Sequence, residues 1–215
     1  FLYNQSRMSP LRLHLFGPPR LEENGRVVEI GLRKAEALLA YLAVNRQPYS
    51  REALATLLWP ESDAGRARAN LRRVLHQLNQ ILGQDLLESE GDVLQLKPDL
   101  ALWLDTKRFD ELSEACLPVP AGDGGLSPEC QARLAEAAEL YSDDFLSGFS
   151  LPDSPAFDEW QFFEAERLRR VLARLLEALA EANRSRGEYG KAIEYARRRL
   201  SLDELHEPAH RLLME

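Results

Sequence analysis

Four arginines, Arg66, Arg68, Arg72 and Arg73, fall within eight residues with no acid among them. A guanidinium carries planar, forked donors that match phosphate oxygens or the O6/N7 edge of guanine. Spaced along one helix, such groups are suited to grip a duplex; the same pattern also describes a solvated helix face. Elsewhere the residues promise less chemistry. No phosphate-loop motif occurs, and Gly122, Gly124 and Gly125 lack the preceding strand and following helix of a dinucleotide site. His206 and His210 are four apart, a spacing that can bind metal on a helix. Pro208 between them begins the helix, so His206 lies outside it and both read as surface or capping histidines. Asp143 and Asp144 are adjacent, so their carboxylates rarely converge, and helix capping is the better reading. Cys116 and Cys130 flank a Pro/Gly-rich loop and are expected as free thiols, since two cysteines make no disulfide framework. The chain is expected to be no enzyme and to need no cofactor and no metal.

The positioning elements come from a chain of 215 residues, 45% hydrophobic and 29% charged. That balance excludes a disordered chain, and no apolar run reaches the roughly 18 residues of a membrane span. The net charge of −8 argues against nucleic acid until it is divided along the chain. Residues 1–103 carry 13 Lys/Arg and 12 Asp/Glu, a net of +1, and residues 104–215 carry 14 and 23, a net of −9. A local basic stripe outweighs the whole-chain charge at a binding face, because salt screens fields beyond about 10 Å.

Period-two alternation over Leu11 to Phe16 predicts a strand. Asn24-Gly25 predicts a hairpin turn, with Val27 to Ile30 as the next strand. Helical spacing follows from Leu32 to Val44. Ser50 is placed to cap a short second helix that buries Leu54, Leu57 and Leu58 and stops at Trp59-Pro60. A third helix is predicted from Arg66 to Leu82, ended by Gly83. It buries Ala67, Leu71, Val74, Leu75, Leu78 and Leu82 and turns Arg66, Arg73, His76, Gln77 and Gln80 outward, with Asn70 and Arg72 on the flanks. A second hairpin spans Leu86 to Leu96. Sheet, three helices and hairpin make a winged helix-turn-helix whose third helix suits a major groove.

After Pro98 the pattern is helical: about Thr106 to Ala115, Gln131 to Tyr141, Ala156 to Arg186, Tyr189 to Leu200, and a last helix opened by Pro208. Leu117 to Pro128 reads as a mobile loop. Trp160, Phe163, Leu168, Leu172, Leu175, Leu176 and Leu179 are expected in the long helix's core, and Trp59, Trp103 and Trp160 are all expected as core residues. The fold class is mainly α with small β: a winged helix-turn-helix domain followed by an all-helical, tetratricopeptide-like domain. The expected layout is residues 1–10 as tail or vector remnant, 11–103 as the winged helix and 104–215 as the helical repeat, the last a fragment of something longer.

The run Lys34 to Ala43, then Ser50-Arg51-Glu52-Ala53-Leu54-Ala55, Leu57 to Glu61 and Ala67 to Leu75 resembles the Streptomyces antibiotic regulatory protein family. Asp105 to Phe109, Leu140-Tyr141 with Asp144-Phe145-Leu146, Glu159-Trp160 with Glu164 to Leu168, Gly187 with Ala192, and Glu207 to Met214 are similar to the same family's bacterial transcriptional activator domain. The resemblance implies an OmpR-type winged helix, a transcriptional activator, and double-stranded promoter DNA and RNA polymerase as partners. It also implies a homodimer on direct repeats, while the two cysteines without a disulfide framework point to a reducing cytoplasm and the short apolar runs to no membrane. Under it, Arg66, Asn70, Arg73 and Gln77 are candidates for base-edge contact, and Arg68, Arg72 and His76 for phosphate. Ser50 and Arg51 could hold a phosphate on exposed backbone amides. Glu61 and Asp63, in the loop after Trp59, are candidates for the polymerase. The wing tip, Glu88 to Asp92, is acidic where the family places a positive or neutral one. Two alternatives stay open: a protein-interaction scaffold whose winged helix no longer binds DNA, and the regulatory N-terminal part of a large signalling ATPase.

Overall fold

The computed structural model describes residues 11–82, 86–119 and 125–214. The expected tail, Gly83, Gly122 and Gly124 lie outside them. Two compact units emerge. The first comprises the chain up to Asp105 together with Leu146–Phe162, and the second comprises Thr106–Phe145 and Phe163 onward.

In the first unit, β1 (Leu11–His14), β2 (Arg20–Glu23) and β3 (Arg26–Val28) form an antiparallel meander. Asn24 and Gly25 form its turn with positive φ at both residues, the geometry that favours Asn-Gly. Three helices follow: α1 (Arg33–Asn45), α2 (Arg51–Leu58) and α3 (Ala64–Leu82). The two-residue strand β4 (Tyr49–Ser50) precedes α2. It pairs with β6 (Val93–Leu96), which in turn pairs with β5 (Leu87–Glu90), so the wing hairpin is fastened at the start of α2.

The stretch around Trp103 departs from the helical entry expected there. Leu102–Leu104 is a strand, β7, running parallel to β1 at the edge of the four-stranded sheet β3-β2-β1-β7. Alternating burial of Leu102 and Leu104 explains it. Asp105 then closes the sheet: its buried carboxylate accepts the backbone N–H of Leu15 at 2.7 Å and of Phe16 at 3.0 Å.

Residues 146–162 complete this unit. The Leu146 N–H donates to the Leu15 carbonyl, and buried Leu146, Phe149, Leu151 and Phe157 add to its core. Phe157 meets Phe149 edge-on and lies tilted against Trp160, and Trp160 meets Tyr41 of α1 edge-on at 4.8 Å.

The second unit holds α4 (Asp105–Glu114, whose first residue belongs to the first unit), α5 (Pro128–Leu140), most of α6 (Pro155–Ser185), α7 (Tyr189–Leu202) and α8 (Glu207–Met214). α5 starts earlier than expected because Ser127 caps it, accepting from the Cys130 N–H, with Pro128 at the first helical position. Among the described residues, no helix is long and apolar enough to cross a membrane.

Several residue-level expectations are corrected. Phe163 is 58% exposed; the buried aromatic of this helix is Phe157, in its first turn. Leu57 and all three tryptophans are half-buried rather than core. Cys116 and Cys130 are joined in a disulfide, because the end of α4 and the first turn of α5 bring their Cα atoms to 5.4 Å. Asp144 caps no helix; it accepts from the Tyr141 hydroxyl and pairs with Arg169. His206 lies before α8 as expected, pairing with Glu177 and accepting from the Ala209 N–H of that helix, while His210 meets the Glu204 carbonyl.

Candidate nucleic-acid interface

The candidate interface lies on α3, whose six buried residues are the six that helical spacing selects. At 100° per residue the rest of the helix divides into two stripes. One carries Arg66, Asn70, Arg73 and Gln77; the other carries Arg68, Arg72 and His76. Arg66, Arg68, Arg72, Arg73 and His76 are exposed, while Asn70 and Gln77 are half-buried. Arg66 to His76 covers about 15 Å of helix axis, comparable to the roughly 12 Å width of a major groove.

Partnering separates these side chains. Asp63 caps α3: its Oδ1 accepts from the Arg66 N–H at 3.0 Å, and its Oδ2 lies 3.3 Å from Arg66 Nε. Arg68 pairs with Glu52 of α2 at 3.1 Å. Both pairs are largely solvent-exposed, so each is worth about 0–1 kcal/mol and exchanges readily for a phosphate. Gln77 donates a long bond, 3.5 Å, to the Ile30 carbonyl, turning its amide toward the fold. Arg72, Arg73 and His76 have no hydrogen bond or ion pair among the described residues.

The start of α2 is less open than its sequence suggests. Ser50 does cap it, accepting the Ala53 N–H at 3.0 Å. The Arg51 N–H is also taken, by the Asp92 carbonyl of the wing at 2.8 Å. Of these first amides only that of Glu52 has no acceptor among the described residues, and the Glu52 carboxylate pairs with Arg68. The start of α2 therefore leaves few backbone donors open to an anion. At the wing tip Glu90 and Asp92 are exposed, and Glu88 accepts from Gln95.

Beyond the capping of α3, the loop between α2 and α3 has an inner support that the sequence did not flag. Lys34 of α1 reaches the Leu58 carbonyl at the end of α2, Ser154 Oγ at 2.5 Å and Asp153 Oδ1 at 2.8 Å, and its ammonium stands over the Trp59 ring. Nothing local in the sequence signals a bond spanning 120 positions. Glu61, in the same loop, is exposed.

Residues 104–215, just over half of the chain, match the bacterial transcriptional activator domain. The chain belongs to that family. Among curated relatives of this activator-domain protein, the transcriptional regulatory protein EmbR of Mycobacterium tuberculosis is 37% identical over 70 residues, which are 32% of this chain and 18% of EmbR. The transcriptional regulatory protein MoaR1 of the same organism is 24% identical over 150 residues, 69% of this chain and 47% of MoaR1. The chain thus spans less than half the length of the curated relatives it matches. A solved structure of Mycobacterium tuberculosis EmbR in complex with a low-affinity phosphopeptide superposes with a TM-score of 0.63 at 21% identity, over 95% of this chain and 64% of that one. This likeness shows the shared fold, a winged helix followed by a helical domain. Family and fold together support the resemblance to the Streptomyces antibiotic regulatory proteins.

Proposed function

We propose that the chain is the promoter-binding and activating part of a cytoplasmic transcriptional regulator, with α3 lying in a DNA major groove. The observation that carries this reading is the pair Arg72 and Arg73, exposed and without a side-chain partner among the described residues, on the outer side of a helix whose opposite face is used in packing. Arg73, with Arg66 and Asn70, is suited to base edges; Arg68, Arg72 and His76 are suited to flanking phosphates. Gln77 joins them once it leaves the Ile30 carbonyl. Ser50 and Arg51 add a phosphate contact from the start of α2. A homodimer on direct repeats, and RNA polymerase as the partner recruited through the α2–α3 loop, extend the proposal. Glu61 is the cleaner probe of the polymerase contact, because Asp63 also caps α3.

The test is selection of bound duplexes from a random pool, then gel shifts of the best duplex at low and moderate salt. Arg73→Ala abolishes selective binding while the fold survives. Arg72→Ala weakens all sequences and flattens the salt slope by about 0.9 per phosphate lost. Recovery of no enriched duplex would favour instead the scaffold reading, which the acidic wing tip and the net charge of −8 support.

A further inference from the structure

α2 has only eight residues, and a helix of any length leaves its last carbonyls without intrahelical donors. The Leu58 carbonyl is nevertheless doubly satisfied. Ser154 Oγ donates to it at 2.8 Å, and the Lys34 ammonium donates to it as well. Ser154 is fully buried, and the Lys34 side chain is only 17% exposed. Burying an ammonium is costly unless its donors find acceptors. Here they find three, one of them the Asp153 carboxylate, and the charge sits at the negative end of a helix.

The bonds continue outward from this point. The Trp59 ring lies 5.7 Å from the ammonium, and the Trp59 N–H is tied back to Ala55. The Trp59 carbonyl accepts from the Ser62 N–H at 3.2 Å. Next comes Asp63, whose carbonyl and carboxylate accept from Ala67 and Arg66 in the first turn of α3. A bonded path therefore runs from Lys34 and Ser154 to the place where α3 begins.

We propose that Lys34, clasped by Ser154, is a positioning residue for DNA reading: it fixes the end of α2 and thereby the direction in which α3 presents its arginines. This rests on the proposed DNA binding but concerns a residue that touches no DNA. Its partner, Ser154, comes from the stretch matched by the activator domain, so that stretch shapes the reading head from within the first unit.

The experiment uses the full chain and its best selected duplex against a scrambled one. Lys34→Met, Ser154→Ala and Lys34→Arg are compared by affinity, salt slope and hydrogen exchange. In Lys34→Met the ratio of specific to scrambled affinity falls about tenfold, the salt slope stays at the wild-type value, and the Ser62, Arg66 and Ala67 amides exchange faster while those inside α1 do not. Ser154→Ala moves the same readouts in the same direction by less. Lys34→Arg, which keeps a cationic donor, recovers most of the ratio.

A salt slope flattened by about 0.9 would mean that Lys34 itself holds a phosphate, and would overturn the positioning role. Unchanged exchange at Ser62, Arg66 and Ala67 in both Lys34→Met and Ser154→Ala would overturn it too, as would faster exchange with an unchanged affinity ratio. If the wild-type chain selects no duplex, the DNA-binding reading fails on its own terms. Exchange then still decides whether Lys34 and Ser154 hold the start of α3.

Discussion

Phe157 lies in the stretch matched by the activator domain, yet it belongs to the core of the winged-helix unit. Phe157→Ala in the full chain tests that placement. The side chain is 0% exposed, with Phe149 at 6.1 Å and Trp160 at 5.2 Å between ring centroids. Emptying such a site costs about 3–5 kcal/mol, part of it lost ring–ring contact. That is a large share of the about 5–15 kcal/mol that holds a typical domain. The assay is native-state hydrogen exchange read by residue. The α1 amides of Leu38 to Leu42, 115 or more positions away in sequence, should lose protection by about two to four orders of magnitude. Amides of α7 should be spared in comparison. Loss confined to α6 and α7, with α1 still protected, would refute the assignment of residues 146–162 to the first unit.

Asp63→Ala removes the α3 cap and should destabilise by about 1 kcal/mol, with faster exchange at Arg66, whereas Glu61→Ala should leave stability within error and, if the loop meets polymerase, lower transcription in vitro without changing DNA affinity. Burial pushes the Glu36 carboxyl above the ordinary carboxylate range, against a smaller opposing pull from Arg33. A carboxyl raised in this way favours the fold below its unfolded pKa and loses that contribution as pH rises through the folded value. Glu36→Gln should therefore be the more stable protein in denaturant at neutral pH, with the gap closing toward pH 4 or so. Under oxidising conditions Cys116→Ser should lower unfolding stability by up to about 3 kcal/mol, the chain-entropy figure for a loop of this length; a reductant should bring wild type down to the mutant, and no difference in either buffer would show the pair unlinked in solution.

Periodicity carried the legible part of this fold. The buried face of α3 follows from the 3.6-residue repeat alone, and the Ser50 cap and the Asn24-Gly25 turn follow from backbone chemistry that few residues can supply. What stayed hidden depends on distant partners. β4 and β7 are two and three residues long and exist only because β6 and β1 lie beside them. In Phe157-Asp-Glu-Trp160-Gln-Phe162-Phe163 four aromatics compete for the inward face, and spacing could not decide that Phe157 wins and Phe163 loses. The cysteine pair needed two helix ends to meet in space. At the interface, the arginines were visible as types and spacing. Their partners were not: Glu52 on Arg68 and Asp63 on Arg66 divide occupied from unoccupied cations, and only coordinates reveal that division.

Because residues 146–162 finish the core begun before Asp105, heredity cannot treat this winged-helix unit as a detachable cassette. A crossover between two genes near position 105 would join one winged helix to a stranger's closing segment. Only segments bringing an equivalent Phe157 and Ser154 would be tolerated. Lineages of such regulators should therefore inherit both stretches together, and engineered chimaeras should succeed when the exchange point is moved past residue 162.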